Sequence, residues 1–169
     1  MKSFVFALFV FVQLFSFQIH GQKCIDDTFE VMINNSNPDV TDISYSDKNR
    51  NKFRISPKLA SSVPQDKLIS LEFVSIPKKD SIERTLFKTE ELDTLKRGLV
   101  VCYVHIPSGK IVSTSFLLQN YVDINKLKKL KAEIEKNLHF NVRVSGKLEK
   151  EGYWRQAFPI FVSNRKKRE

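Results

Sequence analysis

The stretch LVVCYVHIPSGKIVSTSF, residues 99–116, holds two apolar runs joined by Pro107-Ser108-Gly109. In the first run Val100, Cys102, Val104 and Ile106 share one face of a strand, and Leu99, Val101, Tyr103 and His105 share the other. A strand that is apolar on both faces belongs inside a sheet or is covered on both sides. Proline presets φ and glycine tolerates positive φ, so the tripeptide makes the turn. The second run alternates: Val112, Thr114, Phe116 and Leu118 point one way, Ser113 and Ser115 the other. The pair is a β-hairpin with one half-exposed strand.

Downstream, Asp123 is placed to cap a helix from Ile124 to about Asn137. Ile124, Leu127, Leu130, Ile134 and Leu138 form one stripe, with Lys126, Lys129, Glu133 and Lys136 away from it. Val142 and Val144 begin a further strand, and Tyr153 to Val162 form the last, with Trp154, Phe158, Ile160 and Val162 on one parity. Pro159 lacks a backbone donor, which puts this strand at an edge or gives it a bulge. Upstream, Thr89 is placed to cap a short helix with Glu90 and Glu91 in its first turn, Lys96 and Arg97 in its last, and Gly98 as its left-handed stop. Ile69, Leu71 and Phe73 alternate in a strand that ends at Pro77. The fold class is α+β: a small antiparallel sheet with two helices packed on one face.

Residues 34–66 are rich in Asn, Asp, Ser and Lys, and four of the six prolines precede residue 78. This part reads as loops with at most short elements, Phe29 to Ile33 being a short strand or a helical turn. Asn34-Asn35-Ser36 matches a glycosylation sequon. The organisation expected is a signal peptide at 1–21, an irregular N-terminal region at 22–66, the α+β domain at 67–164 and a basic tail at 165–169.

MKSFVFALFVFVQLFSFQIHG, residues 1–21, has a basic start, then an apolar stretch of about 15 residues, the pattern of a secretory signal peptide. A bilayer-spanning helix needs roughly 20 apolar residues. Export to a periplasm or the medium is expected, with no stable membrane insertion after cleavage. Losing Lys2 takes the formal net charge from +9 to +8. The remaining about 148 residues suffice for one core. The lysines are interspersed with glutamates and read as a solvated surface. The tail Arg165-Lys166-Lys167-Arg168 lacks interleaved aromatics, and no nucleic-acid partner is expected. Cys24 and Cys102 both survive cleavage. In an oxidising compartment they either form one disulfide or stay separate thiols, with Cys102 packed as a small hydrophobe.

From residue 88 to 163 the chain resembles the C-terminal domain of TonB and its relatives. The pieces that match are Val100-Val101-Cys102-Tyr103-Val104, Ser108-Gly109-Lys110-Ile111, the helix Ile124 to Asn137, Phe140, and Phe158-Pro159-Ile160-Phe161. The chain departs from that family in having no long Pro-rich spacer, and Leu138-His139-Phe140-Asn141 replaces the family's usual Trp or Lys-Pro region. The resemblance implies a freestanding envelope domain that does not transmit force. It also makes the last strand the exposed edge, with Trp154 and Phe158 in the core and Tyr153, Arg155 and Phe161 facing a partner.

No motif for catalysis or metal binding stands out. His105 and His139 lack a second ligand at metal spacing. Cys102 and His105, three apart on a strand, point to opposite faces. No Gly-rich phosphate loop is present, and no cofactor is expected. The function expected is non-catalytic binding of a protein or peptide of the envelope by β-strand addition. Two alternatives stay open. One is an enzyme whose site uses Asp39, Asp42 and Asp47. The other is an electrostatic binder of anionic envelope polymers through the lysine face.

Overall fold

The computed structural model describes residues 23–37, 40–60, 64, 66, 69–95 and 98–162. The expected signal peptide, the basic tail and Asp39 lie outside them. Ten strands are present among these residues: β1 (Lys23–Ile25), β2 (Phe29–Asn37), β3 (Val40–Asp47), β4 (Lys58–Leu59), β5 (Ile69–Phe73), β6 (Gly98–Ile106), β7 (Ile111–Leu118), β8 (Phe140–Val144), β9 (Leu148–Lys150) and β10 (Gly152–Ile160). Three α-helices are α1 (Ile76–Leu86), α2 (Thr89–Thr94) and α3 (Ile124–Asn137), and a 3-10 helix spans Lys48–Phe53. The fold is α+β. The main sheet is antiparallel, in the order β1-β2-β3-β7-β6-β10, and two ribbons, β4-β9 and β5-β8, lie beside it.

The quoted hairpin is the centre of that sheet. Val100, Cys102, Val104 and Ile106 are fully buried. β6 is flanked by β7 and β10, as its two apolar faces require. A bulge shifts the pairing from Tyr103↔Ser113 to Val104↔Ile111, so Ile111 takes the core position expected of Val112. The same irregularity leaves Ser113 buried rather than half exposed. At the turn, Gly109 has φ +71°, and a Cβ there would lie 1.9 Å from the Phe140 carbonyl oxygen. The Phe140 N–H donates to the Gly109 carbonyl at 2.9 Å, so the turn and β8 are in backbone contact.

Helix α3 has the bounds its periodicity predicts. Asp123 accepts from the Asn125 and Lys126 N–H groups at 2.7 and 3.2 Å. Leu127, Leu130 and Ile134 are buried in one core with Phe29, Tyr45, Phe116 and Phe158. A smaller cluster of Leu59, Ile69 and Ile106 is backed by Trp154, Val142 and Leu148.

Three expectations are corrected. The segment 22–66 is not irregular where described: β1, β2 and β3 supply half of the main sheet, with β3 pairing to β7 through Tyr45↔Phe116. Phe29, Val31, Ile43 and Tyr45 alternate into the core, while Glu30, Met32, Ser44 and Ser46 take the other parity. Second, Pro77 does not end a strand. It stands in the first turn of α1, where a missing N–H costs nothing, so a helix starts there. Third, Gly98 is not a left-handed stop. Helix α2 ends at Thr94, and Gly98 opens β6, where a Cβ would lie 2.5 Å from the Leu118 side chain.

After Ile160 the chain turns sharply. Phe161 has φ 60°, and its N–H donates to the Glu83 carboxylate at 3.1 Å. Lys79 donates to the same carboxylate at 2.8 Å, and both side chains are buried. Burial pushes the Glu83 pKa up against the pull of Lys79 and the Phe161 N–H. Glu83→Ala leaves Lys79 with Asp80, 2.7 Å away, but takes the acceptor from the Phe161 N–H. It is therefore expected to cost about 1–3 kcal/mol, read as a lower urea midpoint in equilibrium unfolding.

Candidate functional site

Strand β10 is an edge of the main sheet. The Tyr153 N–H donates at 2.7 Å to the Ile55 carbonyl, away from β6. Opposite it, the N–H and carbonyl of His105 turn toward the hairpin partners Lys110 and Gly109, each at 2.9 Å. Alternation then turns the N–H and carbonyl groups of Arg155 and Ala157 outward as well. Pro159 falls in the same register, so its missing donor removes nothing from the ladder with β6. Arg155 and Ala157 are exposed. The open stretch of edge is thus short, covered by residue 55 at one end and lacking a donor at Pro159.

The three proposed contact residues separate. Tyr153 and Arg155 lie on the face away from the helices. Phe161 does not: it is buried, with its ring edge-on to Phe87 at 5.2 Å. The positive φ at Phe161 breaks the strand alternation and swings the ring into the core. Trp154 is half-buried in the smaller cluster, and Phe158 is buried and stacked on Phe73 at 4.5 Å.

The face opposite the helices carries a groove of about 430 Å³ whose lining includes Ser44, Ser46, Tyr103, Arg54 and Arg155. A second recess of about 330 Å³ shares Arg54, Tyr103 and Arg155 with it and extends along Phe53 and Tyr153. Phe53 meets the Tyr153 ring edge-on at 5.0 Å, so the 3-10 helix and β10 form one wall. Sequence reasoning found Tyr153 and Arg155 but missed Arg54, because the segment carrying it reads as loop.

Asp47 and Asp42 do not converge. They lie on opposite faces of β3 and about 17 Å apart along it. Asp47 is buried at the end of β3, where it accepts from the Asn49 N–H at 3.0 Å, Ser113 Oγ at 2.7 Å and Lys131 Nζ at 3.0 Å. Burial alone would raise its pKa, but these three donors outweigh burial and hold it below the usual range. Lys131 also pairs with Glu135, whose pKa burial pushes up.

Cys102 is a free, buried thiol, and burial pushes its pKa up to about 12. Cys24 sits in β1, four strand positions from β6. That separation is about 19 Å, well beyond the ~7 Å that a disulfide spans. The Cys24–Cys102 bridge is therefore excluded in this fold. Among the described residues no group of three or more His, Cys, Asp or Glu side chains could hold a metal ion. No described helix is long and apolar enough to cross a membrane.

His105 faces away from Cys102, as its spacing predicts. Its Nδ1 lies 2.9 Å from Ser108 Oγ and its Nε2 3.2 Å from Glu151. The order serine–histidine–carboxylate matches that of a hydrolytic triad, but the ring is reversed: there Nε2 meets the serine. Glu151 is largely exposed, and neither Ser108 nor His105 lines the two recesses above. The chain of contacts fixes the turn.

No model of a known protein family and no curated protein matches this sequence. Among solved structures, a crystal structure of a DUF5043 family protein from Bacteroides uniformis resembles the fold at TM-score 0.54 and 10% identity, over 83% of this chain and 90% of that one.

Asp47 makes a pH prediction. Its folded pKa is depressed, so it contributes stability above the unfolded carboxylate value, and that stability is lost as pH falls through the folded pKa. Asp47→Asn should lower the unfolding midpoint at pH 7 and shrink the difference between variant and parent below about pH 4, as measured by urea titrations across pH.

Proposed function

We propose that this chain is an exported, non-catalytic binding domain of the cell envelope that takes an extended peptide along β10. The observation that carries the reading is the outward-facing backbone of Arg155 and Ala157 on an exposed edge strand. Unpaired N–H and C=O groups there offer an extended segment a ready ladder. Tyr153 and Arg155 flank that ladder on the open face and select side chains of the added strand. The apolar N-terminal stretch and the resemblance to TonB C-terminal domains support the same reading, the first for export and the second for the edge. On the lysine face, Lys126 is engaged with Glu91, which leaves Lys129 and Lys136 for the alternative of an anionic polymer.

The test pans a random dodecapeptide library on the immobilised protein. Ala157→Pro removes one outward N–H, in the register where Pro159 is already accommodated. Peptides enriched on the parent should be lost on Ala157→Pro and weakened about tenfold by Arg155→Glu. Amide exchange at Arg155 and Ala157 should slow when they bind. Peptides that bind Ala157→Pro as well as the parent, or a library that yields none, would count against strand addition.

A further inference from the structure

Two arginines on the open face have no acidic partner among the described residues. Arg50 is engaged: it donates to the Asp47 carbonyl at 3.0 Å and to Glu30 at 2.7 Å. Arg54 and Arg155 form no ion pair among the described residues, yet both line the two adjoining recesses. They come from separate elements, the end of the 3-10 helix and β10. Their convergence is thus a product of the fold. Uncompensated guanidinium groups along one cleft draw negative ligands to it, and each presents a planar fork that fits a carboxylate with two parallel bonds.

The floor between them sets the hydroxyls of Ser44, Ser46 and Ser115 among the apolar Val101 and Leu117. Ser115 Oγ accepts the Asp47 N–H at 2.9 Å, which leaves its own proton free to donate. Ser44 and Ser46 hydroxyls lie 3.3 Å apart on neighbouring same-face positions of β3. Tyr103 and Tyr153 add flat rings. The Tyr153 ring is held between Phe53 and His105, at 5.0 and 5.3 Å. Arginine forks, hydroxyls and ring faces answer to carboxylates, hydroxyls and sugar-ring C–H faces. The larger recess, about 430 Å³, has the size of a small-ligand site.

We propose that this groove binds a short acidic oligosaccharide, one carrying carboxylates on hydroxyl-rich rings. Arg54 and Arg155 take the carboxylates, the serines take ring hydroxyls, and Tyr103 and Tyr153 stack on ring faces. The site lies on the sheet face, so it does not depend on strand addition at the edge. An acidic peptide such as Glu-Glu-Glu would use the arginines but offers no ring C–H face to Tyr103 and Tyr153.

The chain holds one tryptophan, Trp154, and it lines the smaller recess. Its emission therefore reports occupancy, with calorimetry as a second readout. The purified protein is titrated with trigalacturonate, with the fully methyl-esterified trimer and with the peptide Glu-Glu-Glu. Saturable binding of the acid is expected, with the ester and the peptide weaker by about tenfold or more. Arg54→Gln and Arg155→Gln should each weaken the acid about tenfold, while Ala157→Pro leaves it unchanged. Equal binding of ester and acid would overturn the role of the arginines. Equal binding of peptide and acid would overturn the sugar. Binding unchanged in both arginine variants, or silence in both readouts, would overturn the site itself.

Discussion

Asp47 is a carboxylate buried among three parts of the chain that are distant in sequence. It ends β3, accepts a hydrogen bond from Ser113 on β7 and holds Lys131 on α3. A buried charge is tolerated only when its lone pairs are answered, and here all three answers come from different elements. The N-terminal strands, the central hairpin and the long helix must therefore be in register together for the carboxylate to remain ionised. Lys128 adds a second tie of the same kind, reaching Asp26 at 3.0 Å before β2. Asp26 in turn accepts from the Thr28 and Phe29 N–H groups, so the turn and the helix share one anchor.

That arrangement explains which parts of the fold are legible in the sequence. Helix α3 announces itself because its cap, its stripe and its charges are all local. The central strand β6 does so because both of its faces are apolar. Strands β2 and β3 are hidden because much of their length is Asn, Asp, Ser and Thr, which also write loops. Their strand character depends on pairing with β7, which no local window contains. Helix α1 is hidden by Pro77, since one residue type both closes strands and opens helices.

The candidate site divides in the same way. Tyr153 and Arg155 follow from strand alternation and the position of Pro159. Phe161 fails because alternation stops one residue too early: a positive φ, anchored by Glu83 from α1, reverses its direction. Arg54 has no sequence signal, because its value comes from meeting Arg155 across a fold that the sequence does not display. The Asp42 and Asp47 carboxylates look alike in sequence, yet their odd spacing puts them on opposite faces of β3, Asp42 half-buried and Asp47 in the core.

The position of Asp47 also bears on the order in which the chain acquires structure. Its partner Lys131 lies 84 residues further on. As the polypeptide grows from its N-terminus, β1 to β3 have no neighbour on the β7 side and no helix above them. Alone, these strands leave Phe29, Val31, Ile43 and Tyr45 open to water, and non-local pairings of this span are slow to close. The shell around Asp47 is therefore complete only once the last described helix, α3, has been made.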